Sequence, residues 1–382
     1  MINIPQKMKI ILIITLSIFV VSLICLGVSL AVDIIDNNSS YGVVGSGGDG
    51  GGKKQPSTPV DSTVSGVGKK TSIVLPCATK EGVYLGVSNE NTKDISSDEA
   101  IKSGAAVLVD ITDNVVVAGK NADTKIYPAS MTKVMTLLVA CENASDPNKL
   151  LTVTKEMAEK YKDPTNQGAS IAKAMKEGDQ ITVEDALYMV IYESDTMACW
   201  LLADYVAGGE AQFVQMMNAR SATLGLNGTN FVNCTGLYNV DHYTTCNDMA
   251  AIMAAAMNND TAAKVLMRTE LYTVDVYTNG EITETVNMYS GWYTGRLEKY
   301  RLSGTAPKYA GNGSDIMLIG GKTGYEDIPA YCYVTAGQDD TTGRRYVCVQ
   351  VGRINSEQEY IGEKQSTNDT RTIYQKYAKE PQ

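Results

Sequence analysis

The sequence predicts an α+β domain: an antiparallel sheet flanked by helices, drawn from both ends of the globular chain and carrying an inserted helical subdomain. Three observations predict it. An alternating hairpin opens the globular part, with apolar residues either side of Asp113-Asn114 in "AAVLVDITDNVVVAGKN" (105–121). Stretches with apolar residues at helical spacing fill the middle. Strand-like runs return late, in "DIMLIGGKTGY" (315–325), "AYCYVTAGQ" (330–338) and "RRYVCVQVG" (344–352).

In chain order, Lys7 and Lys9 precede a 23-residue run without charge from Ile10 to Val32, and Asp33 and Asp36 follow. At about 1.5 Å per residue the run spans roughly 35 Å, enough for a hydrocarbon core of about 30 Å. Lysines before and acids after predict a cytoplasmic N-terminus over 1–9, a membrane anchor over 10–32 and the bulk of the chain outside. Ser29-Leu30-Ala31 also fits a signal-peptidase site, and cleavage after Ala31 would give a secreted protein. Residues 33–74, rich in glycine and serine, read as a flexible linker, and 75–382 as the globular domain.

Within that domain the hairpin is followed by "YPASMTKVMTLLVA" (127–140), an apolar helix. "TVEDALYMVIYESDTMACWLLADYVAG" (182–208), "AQFVQMMNARSATLGL" (211–226) and "DMAAIMAAAMN" (248–258) are helical, their methionines read as core filler. "VDVYTNGEITETV" (274–286) turns at Asn279-Gly280, a strong hairpin signal. After the late strands, "NDTRTIYQKYAK" (368–379) closes the chain as a helix.

Composition removes several function classes. The chain has 382 residues, 33 Lys and Arg against 43 Asp and Glu, and a net charge of −10, whereas nucleic-acid binding needs a basic footprint. Its one histidine, His242, cannot build a multi-histidine zinc site, and there is no G-x-S-x-G elbow. Its turn-and-cap setting, "DHYTTCNDMA", reads as structural. The eight cysteines form no C-x-x-C pair and several lie in apolar runs, the pattern of buried free thiols.

Chemistry concentrates in two short segments. Ser130-Met131-Thr132-Lys133 opens the apolar helix behind Pro128, which biases Tyr127 toward extended backbone. A serine and a lysine three apart share a helix face, and a lysine among apolar side chains loses hydration and becomes a usable base. A capped helix with a snorkelling lysine fits this stretch equally well. A second S-x-x-K, Ser170 to Lys173, is followed by Gly178 with no long apolar helix. Gly320-Gly321-Lys322-Thr323-Gly324-Tyr325 ends an apolar run; it suits carboxylate binding with close backbone approach, or simply a strand ending in a glycine turn.

Together these segments resemble the penicillin-binding, serine-type D-alanyl-D-alanine carboxypeptidases. The likeness extends from about Ala105 to Ala378, through the hairpin and nucleophile helix, "FVQMMNARSATLGLNGTNFVNCTGL" and "GGKTGYEDIPAYCYVTAG". It implies a β-lactamase/transpeptidase-like fold, no cofactor or metal, and a peptidoglycan pentapeptide ending in D-Ala-D-Ala as substrate, with β-lactams as inhibitors. By resemblance Ser130 is the acylated nucleophile and Lys133 its base, and Ser194 relays a proton to the leaving D-alanine. Lys322 and Thr323 hold the terminal carboxylate, with Arg353 nearby; Gly324 and Tyr325 continue the binding strand. The backbone N–H groups of Ser130 and Tyr325 form the oxyanion hole.

One departure stands out. Ser194-Asp195-Thr196 places threonine where the family has asparagine, whose amide donates to substrate and accepts from the lysine at once. Asp195 adds a negative charge near the pocket, and Pro329-Ala330 replaces the usual Ala-Gly pair. Thr196 therefore motivates a rival reading, a non-catalytic or weakly active wall-binding module. A β-lactamase of the same fold is a further rival, against which stands the lack of an E-x-x-L-N deacylation motif.

Overall fold

The computed structural model describes residues 73–82, 84–163, 166, 175–267, 270–288, 308–310 and 315–378. Residues 10–32 and nearly all of 33–74 lie outside them. The expected single-pass membrane location is corrected: among the described residues no helix is long and apolar enough to cross a membrane. The apolar helices there run to 12 residues at most, about 18 Å against the roughly 30 Å of a bilayer core.

The first strands are β1 (Lys93–Asp94), β2 (Ala105–Asp110) and β3 (Val115–Lys120). A 3₁₀ turn at Ala129–Thr132 leads into α1 (Lys133–Asn143). There follow β4 (Leu150–Thr152), α2 (Lys155–Tyr161), β5 (Gln180–Thr182), α3 (Val183–Tyr192), α4 (Thr196–Ala207) and α5 (Glu210–Thr223). Next come α6 (Cys246–Met257), α7 (Asp260–Met267), β6 (Tyr272–Thr278), β7 (Glu281–Met288) and β8 (Lys308–Ala310). The chain returns to β9 (Asp315–Glu326), β10 (Ala330–Asp339) and β11 (Arg345–Val351), and ends in α8 (Glu363–Tyr377).

Seven strands form one sheet in the order β1-β3-β2-β11-β10-β9-β8. The predicted hairpin β2–β3 joins the late strands through β2–β11, with Val107 opposite Val349. Side chains alternate across the sheet. Val107, Val109, Val347, Val349 and Val351 enter the core shared with the helices, while Leu108, Tyr346 and Cys348 pack on Ile373 and Tyr374 of α8. Helix α1 is buried from Lys133 to Cys141; a helix apolar all round belongs at the centre of such a core.

Three features differ from the sequence reading. Residues 182–208 make two helices, broken where Ser194 takes φ +55° and the Asp195 carboxylate accepts from the Ala198 N–H at 2.8 Å. A short acid in the polar run 193–196 caps a new helix here rather than extending the old one. A second sheet, β4-β5-β6-β7, exists beside the first; β4 and β5 are three residues each, too short for alternation to show. The Asn279-Gly280 hairpin within it turns as expected, both residues at positive φ. The last helix begins at Glu363, five residues before Asn368.

Candidate active site

The serine lies on the 3₁₀ turn, not on the α-helix the sequence suggested. Ala129 sits at φ +46° and Ser130 follows, with α1 starting at Lys133. A 3₁₀ turn eclipses residues i and i+3, so the serine–lysine pairing survives: Lys133 Nζ lies 3.2 Å from Ser130 Oγ. Lys133 is 2 % exposed. Burial lowers its pKa, opposed in part by the neighbouring Cys199, Cys234, Asp195 and Glu326. Its Nζ also donates to the Thr235 carbonyl.

Two glycines let backbone close around this turn. A Cβ on Gly236, at φ +83°, would fall 1.9 Å from the Ala129 carbonyl oxygen. A Cβ on Gly324 would meet Cys332 Sγ at 2.7 Å and the Ser130 nitrogen at 3.2 Å. Strand β9 thus runs directly beside the serine, as the carboxylate-binding reading of Lys322-Thr323-Gly324 requires.

Lys322, also 2 % exposed, donates to Ser194 Oγ at 3.1 Å and to the Thr323 carbonyl at 2.7 Å. Ser194 occupies the break between α3 and α4, so three segments far apart in sequence converge. Tyr325 stands at the surface with its ring 4.7 Å from Tyr331.

Other candidates fall elsewhere. Thr196 is fully buried, and its Oγ1 has no hydrogen-bond partner. It follows Ser194 by two residues, at the first position of α4. Asp195 is buried as the cap of α4, not displayed at the entrance. Arg353 turns to the Asp327 carbonyl, which accepts from Nε at 2.8 Å and Nη2 at 2.5 Å, and lies over the Tyr360 ring. Ser170 and Lys173 lie outside the described residues.

His242 buttresses the turn that carries Ser130. Its Nδ1 accepts from the Val232 N–H at 3.2 Å, which leaves the proton on Nε2, 2.8 Å from Thr132 Oγ1. Burial, with the Lys133 charge added, depresses its pKa to about 4. Sequence reasoning missed Asn233 and Thr235; Asn-x-Thr-Gly reads as an ordinary turn, and nothing in it points at a lysine 102 residues upstream. The seven described cysteines are free thiols.

A buried lysine on the half-buried Ser130 thus lies beside a second lysine–serine pair. The family model described as D-alanyl-D-alanine carboxypeptidase, peptidase S11, matches residues 91–352. The chain belongs to the D-alanyl-D-alanine carboxypeptidase family. Among curated members, the carboxypeptidase DacC of Escherichia coli is 37 % identical over 164 residues, covering 42 % of this chain and 40 % of the relative. DacF of Bacillus subtilis is 31 % identical over 172 residues, 44 % of this chain and 42 % of that one. The matched region spans about two-fifths of these carboxypeptidases' length. Among solved structures, the Streptomyces K15 DD-transpeptidase superposes with a TM-score of 0.57 at 24 % identity, covering 72 % of this chain and 97 % of that one. A D-alanyl-D-alanine carboxypeptidase of Mycobacterium tuberculosis gives 0.56 at 23 %, covering 73 % and 92 %. At such identity these two likenesses show the fold, the α+β architecture of the carboxypeptidase family.

Proposed function

We propose that residues 75–382 act as a serine D-Ala-D-Ala carboxypeptidase, removing the terminal D-alanine of a peptidoglycan stem peptide through an acyl-enzyme on Ser130. The observation that carries this reading is the buried Lys133 Nζ, 3.2 Å from Ser130 Oγ. As a neutral amine Lys133 takes the hydroxyl proton while Oγ attacks the carbonyl of the penultimate D-alanine. The N–H groups of Ser130 and Tyr325 receive the developing oxyanion, supported by the close approach of β9 at Gly324. The C–N bond then breaks, and Ser194, in contact with Lys322, passes a proton to the departing D-alanine. Lys322 and Thr323 hold its carboxylate. The proton that Lys133 took restores the Ser194 hydroxyl; Lys133 then takes a proton from the water that attacks the ester and passes it to Ser130 as the C–O bond breaks.

The test uses the purified chain with a fluorescent penicillin and, separately, a pentapeptide ending in D-Ala-D-Ala. Covalent label at one site, lost in Ser130→Ala, and free D-alanine are expected. Label that survives Ser130→Ala would sink the assignment. The orphaned Thr196 hydroxyl favours a second reading, a module that binds such peptides without cleaving them. Label and peptide binding without released D-alanine would select it.

A further inference from the structure

We infer that Asn233 is a positioning residue for Lys133, acting through the Thr235 carbonyl that it fixes in place. The inference rests on the serine-peptidase reading above and deepens it.

A neutral lysine has two N–H bonds and one lone pair, and only the lone pair can take the Ser130 proton. Holding one N–H on a fixed acceptor restrains rotation about the Cε–Nζ bond and lets the lone pair face Ser130 Oγ. In the family pattern an asparagine amide at position 196 would serve as an acceptor. Here position 196 is a threonine whose hydroxyl is buried and makes no hydrogen bond. The fixed acceptor that Lys133 has is a main-chain carbonyl, that of Thr235.

That carbonyl lies on a loop held from several sides. Asn233 Oδ1 accepts from the Gly236 N–H at 2.7 Å, the Thr235 hydroxyl at 3.1 Å and the Thr235 N–H at 3.2 Å. Its Nδ2 donates to the Leu237 carbonyl at 2.9 Å. One side chain thus closes the whole turn 233–237. Thr136 of α1, one turn after Lys133, donates to the Cys234 carbonyl at 2.6 Å, and Glu210 of α5 accepts from the Cys234 N–H at 3.2 Å. Gly236 packs on the Ala129 carbonyl, so the same loop touches both the serine turn and the lysine.

The test follows the rate of penicillin acylation against pH for the parent chain, Asn233→Ala and Thr136→Val. The titratable groups facing Lys133 are Cys199 and Asp195 from the start of α4, Cys234 of the loop, Glu326 of β9 and His242; all stay in both variants. Loss of a fixed acceptor should slow acylation on the pH plateau by about tenfold or more. It should also move the acid limb to lower pH, because a carbonyl dipole that favoured the ammonium form is no longer held against it. A merely structural role lowers the amount of active protein and leaves the limb where it was. Folded variants with the parent's rate, or with its unmoved limb, overturn the inference. Should Asn233→Ala fail to fold, the near-isosteric Thr136→Val decides by the same limb. A parent chain that penicillin does not label overturns the serine-peptidase reading together with this inference; a labelled parent with unchanged variants overturns this inference alone.

Discussion

The turn that carries the serine and the turn that carries Ser194 are built alike and finished differently. Each places a non-glycine residue at positive φ, Ala129 at +46° and Ser194 at +55°, immediately before a helix. Such strain persists only where the surroundings hold it. At the first turn Ser130 contacts Lys133, Thr132 contacts His242, and Lys133 reaches Thr235. At the second, Ser194 meets Lys322 and Asp195 caps α4, but the Thr196 hydroxyl is left without a partner. The Ser130 side has these polar groups paired, and the Ser194 side carries an unpartnered hydroxyl. The contrast teaches that the first turn is the stricter of the two, and each prediction below probes it.

The largest effect is expected at the nucleophile itself. Ser130→Ala should abolish penicillin labelling, and Lys133→Ala should slow it by about a thousandfold or more, as measured by gel fluorescence over time. Loss of label in both would sharpen the contrast; Thr196→Ala with an equal loss would break it. Next, Gly236→Ala forces a methyl against the Ala129 carbonyl at positive φ. A loss of about 3 kcal/mol or more is expected in urea denaturation. A variant as stable as the parent would mean that the loop yields easily.

The pH dependence is comparable in size. His242 has a folded pKa near 4 against an ordinary 6.5. Between those values the unfolded chain binds the extra proton, so stability is full above about pH 6.5 and falls as pH drops toward 4. A shift of this size corresponds to about 3 kcal/mol at most. Urea midpoints at pH 7 and pH 4.5 should differ in the parent and differ less in His242→Gln. The smallest effect belongs to the relay side. Thr196→Val replaces an unpartnered hydroxyl with a methyl of the same shape and should be neutral or stabilising by about 1 kcal/mol, with acylation unchanged. A clear loss of activity in that variant would show that the hydroxyl does bind something in the working enzyme.

Much of the frame was legible from the residues. Alternation over 105–121 and 315–351 and the buried face of α1 come from local periodicity, which the backbone must obey. The serine–lysine pairing was legible as spacing, though the turn that realises it is 3₁₀. The break at 193–195 was less legible: Glu193-Ser194-Asp195-Thr196 interrupts the apolar pattern, but so short a polar run also fits the exposed side of one continuous helix, and the cap at Asp195 shows only in the structure. The Thr235 carbonyl could not have been read at all: a main-chain atom carries no side-chain signature, and its role depends on where α1 lies. Arg353 shows the complementary limit: its place in the sequence was legible, but not that its guanidinium donates to the Asp327 carbonyl just after β9.

One feature of the sheet reaches beyond catalysis. β11 lies between β2 and β10, so nearly the last strand made is the one that joins the first hairpin to the rest. Until residue 351 has left the ribosome, β2 has no partner on that side, and β9 is joined to the early half of the chain by helices alone. Ser130 and Lys322 therefore meet on a finished support only once β11 is seated between the two halves of the sheet. That strand is the keystone of the site, although it contributes no side chain to it.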